Sequence, residues 1–254
     1  MATYTKAQAP GTPTWTDLMT PDADKARAFY HEVFGWDYDI GPAEYGGYTT
    51  ARVGKHQVAG LMGSRPGDPP SAWGLYFASP DAAADVARAE KLGAKILAPL
   101  MMVGEFGSMA ILADPTGAPF GLWQANKMIG WALAEEMNAT TWYELYTPDA
   151  KKARDFYAEL LGATVEVMPG GMEYYTLKHG EKQMAGIMQS DPAWGMPAQW
   201  VNYFSVPNTD ETAAKVKKHG GQQMGPTEDT PFGRLAALKD PFGANFKVVQ
   251  PPKG

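Results

Sequence analysis

From residue 14 the chain first alternates and then changes period. Thr14-Trp15-Thr16-Asp17-Leu18-Met19 puts Trp15, Asp17 and Met19 on one face of a strand, and Thr16 and Leu18 on the other. A helix start follows. Thr20 is the expected N-cap, Pro21 sits where a missing N–H is harmless, and Asp22 complements the positive helix end. Ala26, Phe29, Tyr30, Val33 and Phe34 then recur at helical spacing, and Gly35 is the expected stop. Short β-like segments resume after Trp36 (WDYDI, YTTARVG, QVAGLMG), divided by Gly46-Gly47 and Gly54-Lys55. The predicted order up to Gly63 is β-α-β-β-β.

This pattern returns. WTDLMTPDADKARAFYHEVFG, from Trp15 to Gly35, recurs as WYELYTPDAKKARDFYAELLG from Trp142 to Gly162, with 13 of 21 residues identical. Fainter copies open at Trp73 and Trp200 and end at Gly93 and Gly220. The chain is therefore a tandem duplication, each half itself built from two similar units. The predicted domains span residues 10–125 and 139–252. Residues 126–138 form a partly helical linker that packs through Ile129 and Trp131. Gly63–Ala72 and Gln189–Gln199 vary between the halves and are the expected lids, by their Pro and Gly content loops in any case.

Composition narrows the function. The 254 residues suffice for two domains with cores of their own. A net charge of −6 argues against nucleic acid or an anionic membrane as partner. The absence of cysteine removes disulfides, thiolate metal sites and a Cys nucleophile, and fits a cytoplasmic location. No apolar run has the length of a membrane span, and MATYTKAQAPGTPT lacks the apolar segment of a signal peptide. No Gly-x-Ser-x-Gly elbow, phosphate loop or dinucleotide fingerprint occurs.

Asp22-Ala-Asp-Lys-Ala-Arg-Ala-Phe29-Tyr30…Gly35 with Asp114-Pro-Thr-Gly117, and Asp149…Phe156-Tyr157…Gly162 with Asp240-Pro-Phe-Gly243, resemble the vicinal oxygen chelate superfamily. That group includes glyoxalase I, the bleomycin- and fosfomycin-resistance proteins and the extradiol dioxygenases. The resemblance covers nearly the whole chain twice. It implies an α+β fold of two tandem domains, each of paired βαβββ modules forming a cup-shaped mixed sheet with helices outside. Members of this family with a single such domain commonly pair to complete their sites. The expected state here is a pseudo-dimeric monomer, with a homodimer as the alternative.

The family's metal enzymes take His, Gln or Glu ligands from the first and last strands of the modules. The matching positions here are Trp15, Trp73, Trp142 and Trp200 on first strands, Ala59–Leu61 and Ala185–Ile187, and Gly121 and Lys247 on final strands. None is a metal ligand, and the four histidines are scattered, so neither metal nor cofactor is expected.

Asp17 and Glu144 are equivalent and share a strand face with Trp15 and Trp142. Desolvated against aromatic surface, each is a candidate acid or base; the alternative is a structural anchor. Trp15, Tyr48, Trp73, Trp123, Trp142, Tyr174 and Trp200 are candidate ligand-binding aromatics, with core packing as the alternative for each. Lys247 is a candidate to hold an anion or to pair with Asp17 or Glu144. The leading expectation is metal-independent binding of a small, mainly apolar or aromatic molecule, for sequestration, resistance or sensing. The alternatives are a metal-free lyase, isomerase or hydrolase, or a glyoxalase-like detoxification enzyme.

Overall fold

A computed structural model describes residues 3–64, 67, 70–169 and 173–252. Module one comprises β1 (Pro13–Thr20), α1 (Ala23–Phe34), β2 (Asp37–Ile40), β3 (Thr49–Val53) and β4 (His56–Gly63). Module two comprises β5 (Ala72–Ala78), α2 (Ala82–Lys91), β6 (Lys95–Val103), β7 (Gly107–Ala113) and β8 (Pro119–Ala125). The second half repeats this with β9 (Thr140–Thr147), α3 (Ala150–Leu161), β10 (Thr164–Val167), β11 (Tyr174–His179) and β12 (Lys182–Gln189). Module four has β13 (Gln199–Ser205), α4 (Thr209–Lys218), β14 (Gln222–Gln223), β15 (Glu228–Thr230), β16 (Gly233–Lys239) and β17 (Asn245–Gln250).

The first helix begins two residues later than its sequence suggests. Thr20 still belongs to β1, and Asp22 is the cap, its carboxylate accepting the Lys25 N–H at 3.0 Å. Asp149 does the same for Lys152 at 3.0 Å. Gly35 and Gly162 end their helices in the left-handed region, at φ 70° and 63°, where a Cβ is disfavoured. The repeated Asp-Pro-x-Gly turns also have a physical basis. Asp240 accepts backbone N–H groups of Phe242 and Ala244, both at 2.9 Å, and Asp114 serves Thr116 and Ala118 in the same way.

Each half forms one mixed sheet, so the fold is α+β in two tandem domains. The first sheet runs β2-β3-β4-β1-β5-β8-β7-β6, the second β10-β11-β12-β9-β13-β17-β16-β14 with β15 beside β16. At their centres β1 pairs antiparallel with β5, and β9 with β13. The flanking pairs β1/β4, β5/β8, β9/β12 and β13/β17 are parallel.

The helix-bearing faces of the two sheets pack on each other. α1 meets α4, α2 meets α3, and β5 approaches β13 between them. One core cluster joins Leu18, Phe29, Tyr30, Trp36 and Trp73 to Phe204, Val216, Leu238 and Phe246 of the other half. Another joins Phe77, Phe120 and Leu122 to Phe156, Tyr157 and Leu177. Polar groups stitch the seam: Tyr30 Oη donates to Asp240 at 3.2 Å and accepts Trp73 Nε1–H at 2.9 Å. Asn202 of β13, wholly buried, donates to Thr16 Oγ1 and to the Gly74 carbonyl.

Residues 126–138 contain no helix and instead run across both halves as bends and isolated bridges. The Trp131 N–H donates to the Thr14 carbonyl at 3.0 Å, and its ring stacks on Tyr143 at 5.8 Å. Trp36 Nε1–H in turn donates to the Asn138 carbonyl at 2.7 Å. Backbone pairing satisfies the N–H and C=O groups that a helix would have satisfied internally.

Tyr30→Phe removes the acceptor of Trp73 and the phenol donor of Asp240, a loss of about 1–3 kcal/mol. Urea unfolding monitored by tryptophan fluorescence should show that loss within a single transition, because both halves share the weakened core. Two separated transitions would show instead that the halves unfold independently.

Candidate functional site

Strand alternation divides β1 between core and cup. Leu18 faces the helices, while Trp15 and Asp17 face the opposite, cup side of the sheet. The register sets Asp17 beside Gly60 of β4 and Gly74 of β5, and Tyr76 of β5 beside Gly121 of β8. The centre of the first cup is thus one carboxylate among three glycines. The glycines make room for aromatic rings. A Cβ on Gly60 would lie 1.9 Å from Tyr48 Oη, and one on Gly121 would lie 2.1 Å from the Tyr76 ring.

Tyr48 and Tyr76 both donate to Asp17 Oδ2 at 3.2 Å, and Trp15 Nε1–H donates to Tyr48 Oη at 2.7 Å. Asp17 keeps a little solvent access, although protein surrounds it almost completely. Burial raises its pKa from 3.8 to about 6, against the lowering effect of the two phenol hydrogen bonds. Burial and the adjacent carboxylate raise both phenols well above their ordinary value, so they remain donors. Trp123 completes this cup from β8, its Nε1–H donating to the Met128 carbonyl at 2.9 Å. Tyr45 and Phe106 come from turns at opposite edges of the sheet, and their rings meet edge-on at 5.8 Å. The rim of the first cup is closed there.

The second cup repeats the plan and changes its charge. Glu144 takes the place of Asp17, Gly186 that of Gly60, Tyr174 that of Tyr48 and Tyr203 that of Tyr76. Further positions differ: Tyr146 replaces Met19, Val201 replaces Gly74, Lys247 replaces Gly121 and Val249 replaces Trp123. Glu144 is buried and accepts from Tyr146 Oη and Tyr203 Oη. Lys247 Nζ lies 3.4 Å from Glu144, donates to Tyr203 Oη at 2.8 Å and also reaches Tyr146 Oη. It stands 5.0 Å from the centres of both tyrosine rings. Of the two acids offered by the sequence, Lys247 pairs with Glu144, and the floor of this cup is filled by its own side chains. Trp142 Nε1–H donates to Tyr174 Oη at 3.3 Å, and Trp194 approaches Tyr146 at 6.3 Å from the turn Pro192–Trp194. Of the other expected lid, residues 65, 66, 68 and 69 lie outside the described residues.

Trp73 and Trp200 do not lie in the cups. Trp73 is directly opposite Leu18, which fixes it on the helix face against Tyr30, and Trp200 donates to Tyr157 Oη at 2.9 Å. Their similarity to Trp15 in sequence hides a shift of one residue: Trp73 and Trp200 stand seven residues before Pro80 and Pro207, whereas Trp15 and Trp142 stand six before Pro21 and Pro148, and one step along a strand changes the face. Tyr76 and Tyr203 were missed for the same reason, and Tyr146 because Met19 stands at its place in the first copy. The shared Tyr-Phe of LYFA and NYFS is the signal that marks two of them.

A Glyoxalase-like domain model matches residues 15–123, and the Glyoxalase/Bleomycin resistance protein/Dioxygenase superfamily model matches residues 139–248. The chain belongs to this superfamily. It is 39% identical over 249 residues to a Mycobacterium tuberculosis protein named "Putative glyoxylase CFP32", covering 95% of each chain. It is 34% identical over 263 residues to the anthracycline biosynthesis protein DnrV of Streptomyces peucetius, covering 97% of this chain and 95% of that one. The Mn(II)-bound glyoxalase from Novosphingobium aromaticivorans shares the fold, with a TM-score of 0.66 at 15% identity over 95% of this chain and 82% of the other.

The donors at the cup centres do not fit such a metal. The first offers one carboxylate among Gly60, Gly74 and Gly121; the second offers one carboxylate already faced by the Lys247 ammonium. No group of three His, Cys, Asp or Glu side chains among the described residues could hold an ion.

The raised Asp17 pKa has a definite sign in stability. The folded chain binds this proton more tightly, so the contribution is greatest below about pH 4 and declines as pH rises to about 6. Above that, the shift corresponds to a penalty of up to about 3 kcal/mol. Asp17→Asn should therefore raise the urea midpoint at pH 7.5 and flatten the decline between pH 4 and 6; an unchanged profile would show that Asp17 is normally ionised. In the second cup, Lys247→Met should lower stability by about 1–3 kcal/mol, since it leaves a buried carboxylate without its cation. The double variant with Glu144→Gln should lose less than the two single losses combined, and strict additivity would deny the coupling.

Proposed function

We propose that the first cup binds a small, flat, mainly apolar or aromatic molecule without a metal ion, and that Asp17 with its two tyrosines grips an oxygen of that molecule. The observation that carries this reading is a nearly buried carboxylate, with no cation beside it among the described residues, set among aromatic rings and glycines. Trp15, Tyr48, Tyr76 and Trp123 supply apolar walls, and the tyrosine hydroxyls fix orientation. The relatives named for anthracycline biosynthesis support a fused-ring aromatic ligand. The second cup, with Glu144 neutralised by Lys247, serves stability in this reading.

A catalytic variant of the reading has one specific support. An acid with a pKa of about 6 exchanges protons readily near neutrality, as a general acid or base must. Asp17 would then move a proton to or from a bound carbonyl compound, as a metal-free lyase or isomerase. The relatives named as glyoxylases are consistent with turnover of a small oxygenated molecule.

Titration with a series of fused-ring phenols and quinones, read by tryptophan quenching and calorimetry, tests the proposal. Binding should survive exhaustive chelation, weaken about tenfold or more in Trp15→Ala, a loss of about 1.4 kcal/mol, and persist in Glu144→Gln. Stoichiometric bound metal, or loss of binding on chelation, would overturn the metal-free reading. Turnover lost in Asp17→Asn with binding retained would establish the catalytic variant over simple sequestration.

A further inference from the structure

A cavity that neither Asp17 nor Glu144 lines opens where the segment before β1, the linker and the start of β9 meet. It measures about 190 Å³, and its wall includes Tyr4, Gln8, Trp131, Thr140, Tyr143 and the pair Glu135 and Lys182. Backbone bonds hold the three segments together: the Tyr4 N–H donates to the Ala132 carbonyl at 2.9 Å, and the Glu135 N–H to the Thr140 carbonyl at 2.7 Å. A bulge at Thr141 turns Thr140 to the same face as Tyr143, because Thr140 stands opposite Phe204 and Trp142 opposite Tyr203.

Among the described residues, four buried polar atoms without a hydrogen-bond partner gather in this wall: Gln8 Nε2, Trp131 Nε1, Thr140 Oγ1 and Tyr143 Oη. Trp131, Thr140 and Tyr143 are 4%, 1% and 5% exposed, so bulk water does not serve them. Thr140 lies near Tyr143, but the two hydroxyls are not aligned as donor and acceptor. The equivalent corner of the first half is closed by the linker. There Gln57, the counterpart of Gln183, donates through Nε2 to the Gly130 carbonyl at 2.6 Å, and a Cβ on Gly130 would lie 2.3 Å from the Thr14 carbonyl oxygen. The unpaired cluster is a property of one copy only.

We propose that this cavity is a second binding site, separate from the first cup, for a small, neutral, planar ring compound bearing carbonyl acceptors. Size sets the first limit: at roughly 30 Å³ for each water, the cavity has the room of about six waters, enough for one ring. Donor chemistry sets the second. Trp131 Nε1 and Gln8 Nε2 can only donate, and the Thr140 and Tyr143 hydroxyls can also donate, so the occupant must accept. Shape follows from the parallel Trp131 and Tyr143 rings, 6° apart in plane, which present a flat aromatic wall. Charge is excluded from both sides. Lys182 and Glu135 neutralise each other at 2.5 Å. Burial raises the Tyr143 phenol well above its ordinary value, Thr140 opposes this and the nearby Glu135 carboxylate adds to it, so an anion would meet a like charge. A cation would meet two N–H groups that can only donate.

Indole N–H NMR spectra of the full chain, titrated with 2-pyridone and uracil at millimolar concentrations, test the proposal. The Trp131 indole signal, assigned by its absence in Trp131→Phe, should shift downfield and saturate. Toluene, which has the ring and no acceptor, should leave it in place. Tyr143→Phe and Gln8→Leu should each weaken binding about tenfold, the effect of one lost hydrogen bond. The thermal midpoint of ligand-free Tyr143→Phe should not fall, because its hydroxyl bonds no protein group there, so weaker binding cannot be put down to unfolding. Trp15→Ala removes a wall of the first cup and should leave this titration unchanged, which reads the two sites apart. No saturable shift at Trp131, an equal response to toluene, or a response abolished by Trp15→Ala would overturn the proposal and leave the cavity to water.

Discussion

The helix-bearing face of each sheet is covered by that of the other. A strongly apolar strand such as β5, with Leu75 and Phe77 wholly buried, cannot leave that face to water. Two helices per sheet cover part of it, and the remainder closes only when β5 and β13 approach and α1 and α3 reach their counterparts across the seam. The buried polar groups follow from this apposition. The Tyr30 hydroxyl donates to Asp240, and the Asn202 amide N–H groups find Thr16 Oγ1 and the Gly74 carbonyl, each in the opposite half. The linker runs between the halves as a further backbone tie.

With the helix face so constrained, the cup faces have been free to differ. The exchanges that separate them include Met19 against Tyr146, Gly74 against Val201, Gly121 against Lys247 and Trp123 against Val249. At Gly121 the absence of a side chain lets the Tyr76 ring lie across β8. At Lys247 a long cation reaches Glu144 and the hydroxyls of Tyr146 and Tyr203. The first cup thereby keeps an acid that holds its proton to about pH 6, and the second holds an ion pair among phenols. Nearly identical backbones thus set up different electrostatics.

The duplication, the order of elements in each module and the turns at Asp114 and Asp240 were legible in the sequence, because they rest on periodicity and on residues with strong local preferences. The pairing of Asp17 with Trp15 on one strand face was legible for the same reason. The direction of Trp73 and Trp200 was not. It depends on a one-residue offset within the second strand of each pair, and matching the repeats on their tryptophans hides that offset. The helix cap moved from Thr20 to Asp22 because β1 continues through Thr20 to pair with Gly63 of β4. The tyrosines that hold the carboxylates were hidden by distance: Asp17 and Tyr76 are 59 residues apart, and only the register of β1 against β5 joins them.

On β1, Asp17 and Leu18 are neighbours in sequence and belong to different environments, one facing the cup and the other the seam between halves. The alternation of the strand therefore separates two kinds of evolutionary pressure at single-residue spacing. A change at 17, 19, 60 or 121 falls on the cup face and leaves the packing between halves nearly untouched. A change at 18, 61, 73 or 75 does the reverse. A duplicated chain of this kind can change one cup face while the two helix faces keep the frame against which both halves are folded.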